Sequence, residues 1–235
     1  MQNLNVLILA GGRGTRLQKV WDGPKCLAPV FQTKVPLLGW LLREVVSPLN
    51  PLQVVLSFGW QDQADKVLRY LEELVHYPVT FPVGDQLVVR HSIDGMPVGT
   101  TRAVTNAASH ATFVIGPGPT LILNGDTLPG YDMKAFVETA LPLRSGPHVS
   151  MAWQKGLDVE VPVPAEYYAG AALVTREVMD MFREGHFLFD PRPDVEQILS
   201  VAARRFYVPK FLDIGTPGAL EMARSITEEE WMKYA

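Results

Sequence analysis

Apolar residues fall into two kinds of run along the chain. Short unbroken runs read as buried strands: Asn5–Leu9, Gln53–Phe58, Leu87–Arg90, Thr120–Leu123, Val149–Trp153, Ala169–Val174 and Phe206–Val208. Between them, apolar positions recur three or four apart, as on one face of a helix. In Val35–Val46 the face is Leu37, Leu38, Leu41, Leu42 and Val45, with Pro48 and Pro51 as stops; in Asp62–Leu74 it is Val67, Leu71 and Leu74. Further helices are expected over Thr100–Ala111, Asp132–Ala140 with Asp132 as N-cap, Arg176–Phe182, Val195–Ala203 and Gly218–Ile226.

Strands alternating with helices at this spacing predict an α/β fold: a Rossmann-like, mixed but mostly parallel sheet with helices on both faces. No repeat, low-complexity tract or linker divides residues 1–235, so one domain is expected, with a core of about 4–226 and a C-terminal tail at 227–235. In that tail Trp231 and Tyr234 either pack on the domain or a partner subunit, or belong to a frayed end. In open α/β sheets ligands bind beyond the carboxyl ends of strands. Two polar turns stand at such ends: Ala10-Gly11-Gly12-Arg13-Gly14-Thr15-Arg16-Leu17 and Asn124-Gly125-Asp126-Thr127.

Composition then removes several classes. Hydrophobic residues make up 47% and charged residues 20%, an ordinary globular balance. A net charge of -4 argues against a nucleic-acid partner. The single cysteine, Cys26, excludes a disulfide framework and a multi-cysteine zinc site, and the 5 histidines share no ligand spacing. Cys26 stands beside Lys25, which would lower its pKa unless the thiol is simply packed away. No apolar run reaches the ~18 residues of a membrane span, and no basic leader precedes the first strand. A cytoplasmic protein with no membrane partner is expected, with homo-oligomerisation left open.

The first turn carries the most specific chemistry. Its glycines let backbone N–H groups approach an anion closely, and Arg13, Arg16 and Lys25 add positive charge suited to phosphate. The turn therefore reads either as a polyphosphate cradle or as a glycine-rich strand-to-helix turn with surface arginines. It is not a Walker loop, because Gly14 is followed by Thr15-Arg16, and Leu17 stands where a dinucleotide fingerprint needs glycine.

Gly11 to Leu17, together with Pro24-Lys25 and Pro29-Val30, closely resembles the signature of sugar-1-phosphate nucleotidyltransferases, the nucleotide-sugar pyrophosphorylases. Three more segments resemble that family in the same order: Pro97-Val98-Gly99-Thr100, Leu123 to Thr127, and Phe211 to Pro217. The resemblance runs from Leu4 to about Ala223 and is nearest the short mannose- and heptose-1-phosphate guanylyltransferase branch. It implies a nucleotide-diphospho-sugar transferase fold of the GT-A-like kind. The implied reaction joins a nucleoside triphosphate, GTP by branch, to a heptose- or mannose-type sugar 1-phosphate, giving nucleotide-sugar and pyrophosphate.

On this resemblance Leu9, Ala10, Gly11, Gly12, Arg13, Gly14, Thr15, Arg16, Pro97, Gly99, Thr100, Asn124 and Gly125 bind the nucleotide. Lys25, Glu166 and Gly170 hold the acceptor; Arg16, Lys25 and Asp126 are catalytic; Asp126 and Asp213 bind Mg²⁺. Read singly, Asp126 is equally an Asx-turn residue or a helix cap near Thr127, and Asp213 equally an N-cap for the helix after Pro217.

Two features depart from the family pattern. Thr101-Arg102 follow Gly99-Thr100 where glycine or alanine is usual, and the stretch Gly156 to Gly170 lacks the Glu-Lys-Pro segment that serves the acceptor. Lys155, Arg192 and Lys210 are the basic residues available to replace its lysine. The departure keeps two alternatives open: a cytidylyltransferase for a non-sugar phosphate such as phosphocholine, and a non-catalytic nucleotide-sugar-binding homologue. A glycosyltransferase would need an Asp-x-Asp motif, which the chain lacks, and a serine hydrolase a Gly-x-Ser-x-Gly elbow, also lacking.

Overall fold

The computed structural model describes residues 3–75, 89–95, 99–110, 118–141, 146–155, 166–184 and 203–233. In chain order the strands are β1 (Asn5–Leu9), β2 (Pro29–Val30), β3 (Val35–Pro36), β4 (Gln53–Phe58), β5 (Val89–Ile93), β6 (Thr120–Asn124), β7 (Thr127–Pro129), β8 (Val149–Lys155), β9 (Glu166–Val174), β10 (Ala203–Tyr207) and β11 (Phe211–Asp213). The helices are α1 (Leu37–Trp40), α2 (Gln61–Val75), α3 (Gly99–Ser109), α4 (Met133–Ala140), α5 (Arg176–Arg183), α6 (Pro217–Ser225) and α7 (Glu228–Met232).

Seven strands form the main sheet in the order β10-β8-β9-β6-β1-β4-β5. Parallel pairings join β6 to β1, β1 to β4, β4 to β5 and β8 to β10; β9 runs against both β6 and β8. The expected mixed, mostly parallel sheet is therefore what forms. β1 is unbroken in its apolar character because both its faces are covered. Val6 and Ile8 join one core with Leu56, Leu121 and α4, while Leu7 joins the other with Val55, Ile122, α3 and α5.

Three expectations shift. Val35–Val46 is not one regular helix. Val35–Pro36 pairs with Pro29–Val30 as a short ribbon, α1 covers one turn, and Leu41–Val46 continues in wider π-type turns. Pro48 does not stop the helical run but sits in the first turn of a 3₁₀ segment, Ser47–Leu49, where its missing N–H is harmless. The left-handed Asn50 then ends it. The helix expected over Gly218–Ile226 is α6, which starts one residue earlier at Pro217, with Thr216 as its N-cap accepting from the Ala219 N–H at 3.3 Å. Residues 87–88 and 195–202 lie outside the described residues. Among the described residues no helix is long and apolar enough to cross a membrane.

The tail is the largest addition to the sequence reading. Thr227 and Glu230 close a capping box at the start of α7. Trp231 is buried and its indole N–H donates to the Pro129 carbonyl at 2.9 Å. Glu228 accepts from the Trp40 indole at 3.0 Å and from Arg43 at 2.8 Å. Trp231 thus packs on the domain and is not part of a frayed end; Tyr234 lies outside the described residues.

Candidate active site

The β1 strand ends in a loop that must pass close to the one following β4. A Cβ on Gly59 would stand 2.4 Å from the Gly11 carbonyl oxygen, and one on Gly11 would stand 3.0 Å from the Gly59 nitrogen. Only a glycine pair lets the two backbones approach this closely. Gly14 takes a left-handed φ of 66° and turns the chain into a 3₁₀ segment, Thr15–Leu17, that carries Arg16. Arg13 leaves the loop on the other side, its guanidinium stacked 3.6 Å above the Trp60 ring.

A second 3₁₀ turn, Lys25–Leu27, brings Lys25 back over this loop. Its stem lies against Gly14, 3.0 Å from where a Cβ would be, and its ammonium is 3.8 Å from the corresponding point on Gly12. The ammonium donates to Asp126 Oδ2 at 2.9 Å. Asp126 follows β6, and the preceding Gly125 is pinned by its N–H donating to the Leu9 carbonyl at 2.8 Å. Asp126 is therefore an ion-pair partner of Lys25.

Asp213 arrives from the far end of the chain. β11 pairs antiparallel with β7, setting Asp213 opposite Thr127, and the Ile214 N–H donates to the Asp126 carbonyl at 2.9 Å. The Asp213 carboxylate accepts from the Gly215 N–H at 2.7 Å. It caps no helix, because Thr216 does that work. Burial, and then the nearby Asp126 charge, push its pKa above the ordinary carboxylate value; the Gly215 N–H, Lys25 and Arg16 pull the other way. Arg16 approaches through the space that Gly215 leaves, its terminal nitrogen 3.0 Å from where a Cβ would be. The Asp126 and Asp213 carboxylates, which feel each other's charge and lie near Lys25 and Arg16, would offer hard oxygen donors of the kind Mg²⁺ shares with phosphate oxygens. Among the described residues no larger cluster of metal-ligating side chains occurs.

A cavity of about 300 Å³ opens at the carboxyl ends of β1, β4 and β6. The predicted residues Leu9, Gly11, Gly12, Gly99, Thr100 and Asn124 line it, and so does Asp126. Gly99 opens α3 with φ at 77°. Pro97 lies outside the described residues. Sequence reading missed Gly59, Asp94 and Ala103 of the same wall. Gly59 had a signal, since it follows β4 as Gly11 follows β1. Asp94 had none beyond following a strand.

Of the residues expected to hold the acceptor, Gly170 marks a bulge in β9, where the register with β8 shifts between Met151 and Trp153. Its φ is 75°, and a Cβ there would meet the Thr127 side chain at 2.9 Å, one residue from Asp126. Glu166 lies further back along β9 and is not a free acid: it pairs with Arg205 and accepts from the Tyr207 hydroxyl at 2.6 Å. Of the basic candidates, Lys155 sits over the Tyr207 ring at 4.5 Å and Lys210 over Trp231 at 4.4 Å, while Arg192 lies outside the described residues. Cys26 is fully buried, and burial followed by the Asp126 charge pushes its thiol up to about 12. Lys25 therefore does not activate it, and its role is packing.

The same fold recurs in solved structures of nucleotidyltransferases. Three solved structures illustrate that likeness over nearly the whole chain. HddC from Yersinia pseudotuberculosis is 22% identical over 93% of this chain and 97% of its own, with a TM-score of 0.64; it has also been solved complexed with GMP-PN. A putative glucose-1-phosphate thymidylyltransferase from Bacillus anthracis is 15% identical over 98% of this chain and 99% of its own, with a TM-score of 0.66. The inositol-1-phosphate CTP transferase from T. maritima, at 16% identity over 98% of this chain and 95% of its own, reaches a TM-score of 0.59. No protein-family model and no curated protein matches the chain.

Proposed function

We propose that the protein is a nucleotidyltransferase that moves a nucleoside monophosphate, from GTP by preference, onto a sugar 1-phosphate of heptose or mannose type. The observation that carries this reading is the convergence of Arg16, Lys25, Asp126 and Asp213 at the mouth of the glycine-lined cavity. Its likeness to HddC, solved with GMP-PN, supports the guanine preference. The partners are these two small molecules, and the expected compartment is the cytoplasm.

In this reaction an acceptor phosphate oxygen attacks the α-phosphorus in line. One P–O bond forms, the bond to the bridging oxygen breaks, and pyrophosphate leaves with the electron pair. No side chain needs to become bonded to substrate, so the residues act by positioning and charge. Gly11, Gly12 and Gly14 present backbone to the triphosphate. Arg16, with Arg13 held against Trp60, offsets charge on the departing pyrophosphate. Lys25 lies between the loop and Asp126, where it faces the α-phosphate and the acceptor. Asp126 and Asp213 would hold Mg²⁺, which when bound neutralises phosphate charge.

A second reading has one observation in its favour. Glu166 is engaged by Arg205 and Tyr207, so the acid that would meet a sugar is already partnered. An acceptor phosphate without a sugar ring, with CTP as donor, suits that arrangement. Pyrophosphate release across the four nucleoside triphosphates, against several sugar 1-phosphates, phosphocholine and inositol 1-phosphate, with and without Mg²⁺, separates the two. Release with GTP and a sugar 1-phosphate is expected. Silence for every pair overturns the nucleotidyltransferase reading.

A further inference from the structure

Gly11 and Gly59 touch backbone to backbone, so the residues that follow them are set side by side. Trp60 follows Gly59 directly, and Arg13 lies two positions beyond Gly11. The Arg13 guanidinium stands 3.6 Å from the centroid of the Trp60 ring. Gln63, buried in the first turn of α2, donates its amide N–H to the Gly12 carbonyl at 3.4 Å, on the peptide that leads into Arg13. Gly12 and Gly59 line the cavity, so the stack stands at its rim. Among the described residues Arg13 has no ion-pair or hydrogen-bond partner. A stacked guanidinium uses only its face on the ring. Its N–H groups lie in the plane of the group and stay open for a two-oxygen contact.

We propose that Trp60 is a positioning residue: it holds the Arg13 fork at the cavity rim, where Arg13 grips the terminal phosphate of a bound nucleoside triphosphate. The proposal deepens the nucleotidyltransferase reading and rests on it. Lys25 covers one side of the Gly12–Gly14 turn, and Arg13 leaves by the other. A phosphate chain seated on this turn with its α-phosphate at Lys25 therefore runs toward Arg13. A long side chain on an exposed loop loses rotamer freedom each time it binds; the Trp60 ring fixes Arg13 beforehand. Trp60 itself touches no phosphate. Lysine could not take the place of Arg13, because it has neither a planar face to stack nor a fork. The arrangement selects by phosphate count, since a triphosphate reaches the fork and a diphosphate does not. In the reaction the same contact meets the charge that passes to pyrophosphate as the bond to the bridging oxygen breaks.

Titration calorimetry with the full chain and Mg²⁺ tests this without any acceptor, using GTP against GDP, or the matching pair for whichever base binds best. Arg13→Ala should weaken triphosphate binding about 10-fold or more and leave diphosphate binding within about twofold of wild type. Trp60→Leu removes the ring and should do the same. Trp60→Phe keeps an aromatic face and should hold triphosphate binding within about threefold of wild type. Arg13→Lys should behave like Arg13→Ala, and combining Arg13→Ala with Trp60→Leu should add nothing to either. A merely structural Trp60 predicts a different pattern, in which triphosphate and diphosphate affinities fall together with melting temperature. That pattern overturns the proposal, and so does wild-type triphosphate binding in Trp60→Leu or Arg13→Lys. If Trp60→Leu does not fold, the emission of Trp60, taken as wild type minus Trp60→Phe, decides. It should change more with GTP than with GDP, and an equal response overturns the proposal. Triphosphate selection that depends on both residues, with no pyrophosphate release for any acceptor, would remove the transferase reading and leave this assignment standing. Pyrophosphate release by an enzyme whose triphosphate affinity ignores both residues would do the opposite.

Discussion

Lys25 Nζ lies 2.9 Å from Asp126 Oδ2, between residues 101 positions apart in the chain. The pair is partly open to solvent, with side chains 15% and 28% exposed. A pair so placed adds at most about 1 kcal/mol to stability. It joins the glycine loop of β1 to the turn after β6 at the mouth of the cavity, so its value lies in charge placement.

Lys25→Ala and Asp126→Ala should each reduce turnover by about 10²-fold or more, the scale seen when one preorganised charge partner is removed. Melting temperatures should move by only a few degrees. The double variant should fall short of the product of the single losses, because the two residues act as one unit. Steady-state pyrophosphate release with melting curves checks this; near wild-type rates in both single variants would remove the pair from the site.

Asp213 provides a pH-dependent prediction. Burial and Asp126 hold its pKa above that of the unfolded chain, so the folded state binds its proton more tightly. Stability from this group is present at low pH and declines as pH rises through the raised value. Asp213→Asn keeps an acceptor for the Gly215 N–H and removes the buried charge. Without divalent cation the variant should melt above wild type at pH 7, the gap closing as pH falls toward the ordinary carboxylate range. Mg²⁺ at about 100 times its dissociation constant should add about 2.7 kcal/mol to the wild type and little to the variant. A cation response of equal size in both would exclude Asp213 as a ligand.

Gly59→Ala tests the contact between the two loops. The added methyl group would stand 2.4 Å from the Gly11 carbonyl oxygen, so one backbone must move. A stability loss of about 1–3 kcal/mol is expected from the overpacking. Nucleotide affinity should fall further than melting temperature alone explains, because the displaced segment is the phosphate-facing loop. Unchanged nucleotide affinity in calorimetry would show that the loop geometry does not depend on this contact.

Trp231→Ala should cost about 3–5 kcal/mol, the range for removing a large buried aromatic. The indole belongs to the main core and donates to Pro129, at the end of the strand that pairs with β11. The variant should therefore weaken Mg²⁺ binding as well as unfold earlier in denaturant. A loss below about 1 kcal/mol would show that α7 is dispensable.

Much of this was legible in the chain because it rests on local rules. The buried strands announce themselves by unbroken apolar runs, and the Gly11–Gly14 turn by residues that tolerate close backbone approach and positive φ. Asp132 caps α4 as read, its carboxylate accepting from the Ala135 N–H at 2.9 Å. Asp213 was ambiguous for a physical reason. An aspartate a few residues before a helix suits a cap as well as a metal, and only the observed bond from the Ala219 N–H to the Thr216 hydroxyl oxygen frees it from capping. The capping box of Thr227 and Glu230 is equally local, but the tail carries too few apolar residues to show a helical period beside it.

By itself the sequence determined the strand-and-helix alternation, the glycine turn with its basic residues, and the aspartate turn after β6, since each depends on neighbours within a few positions. Tertiary structure decided the rest. The parallel pairing of β1 with β4 and β6 brings Gly59 against Gly11 and sets Asp126 over Lys25. The ribbon of β7 with β11 carries Asp213 to Asp126. Charges and backbones that meet across strands have no signature in linear order, because their separation in the chain is set by topology and not by any periodic pattern.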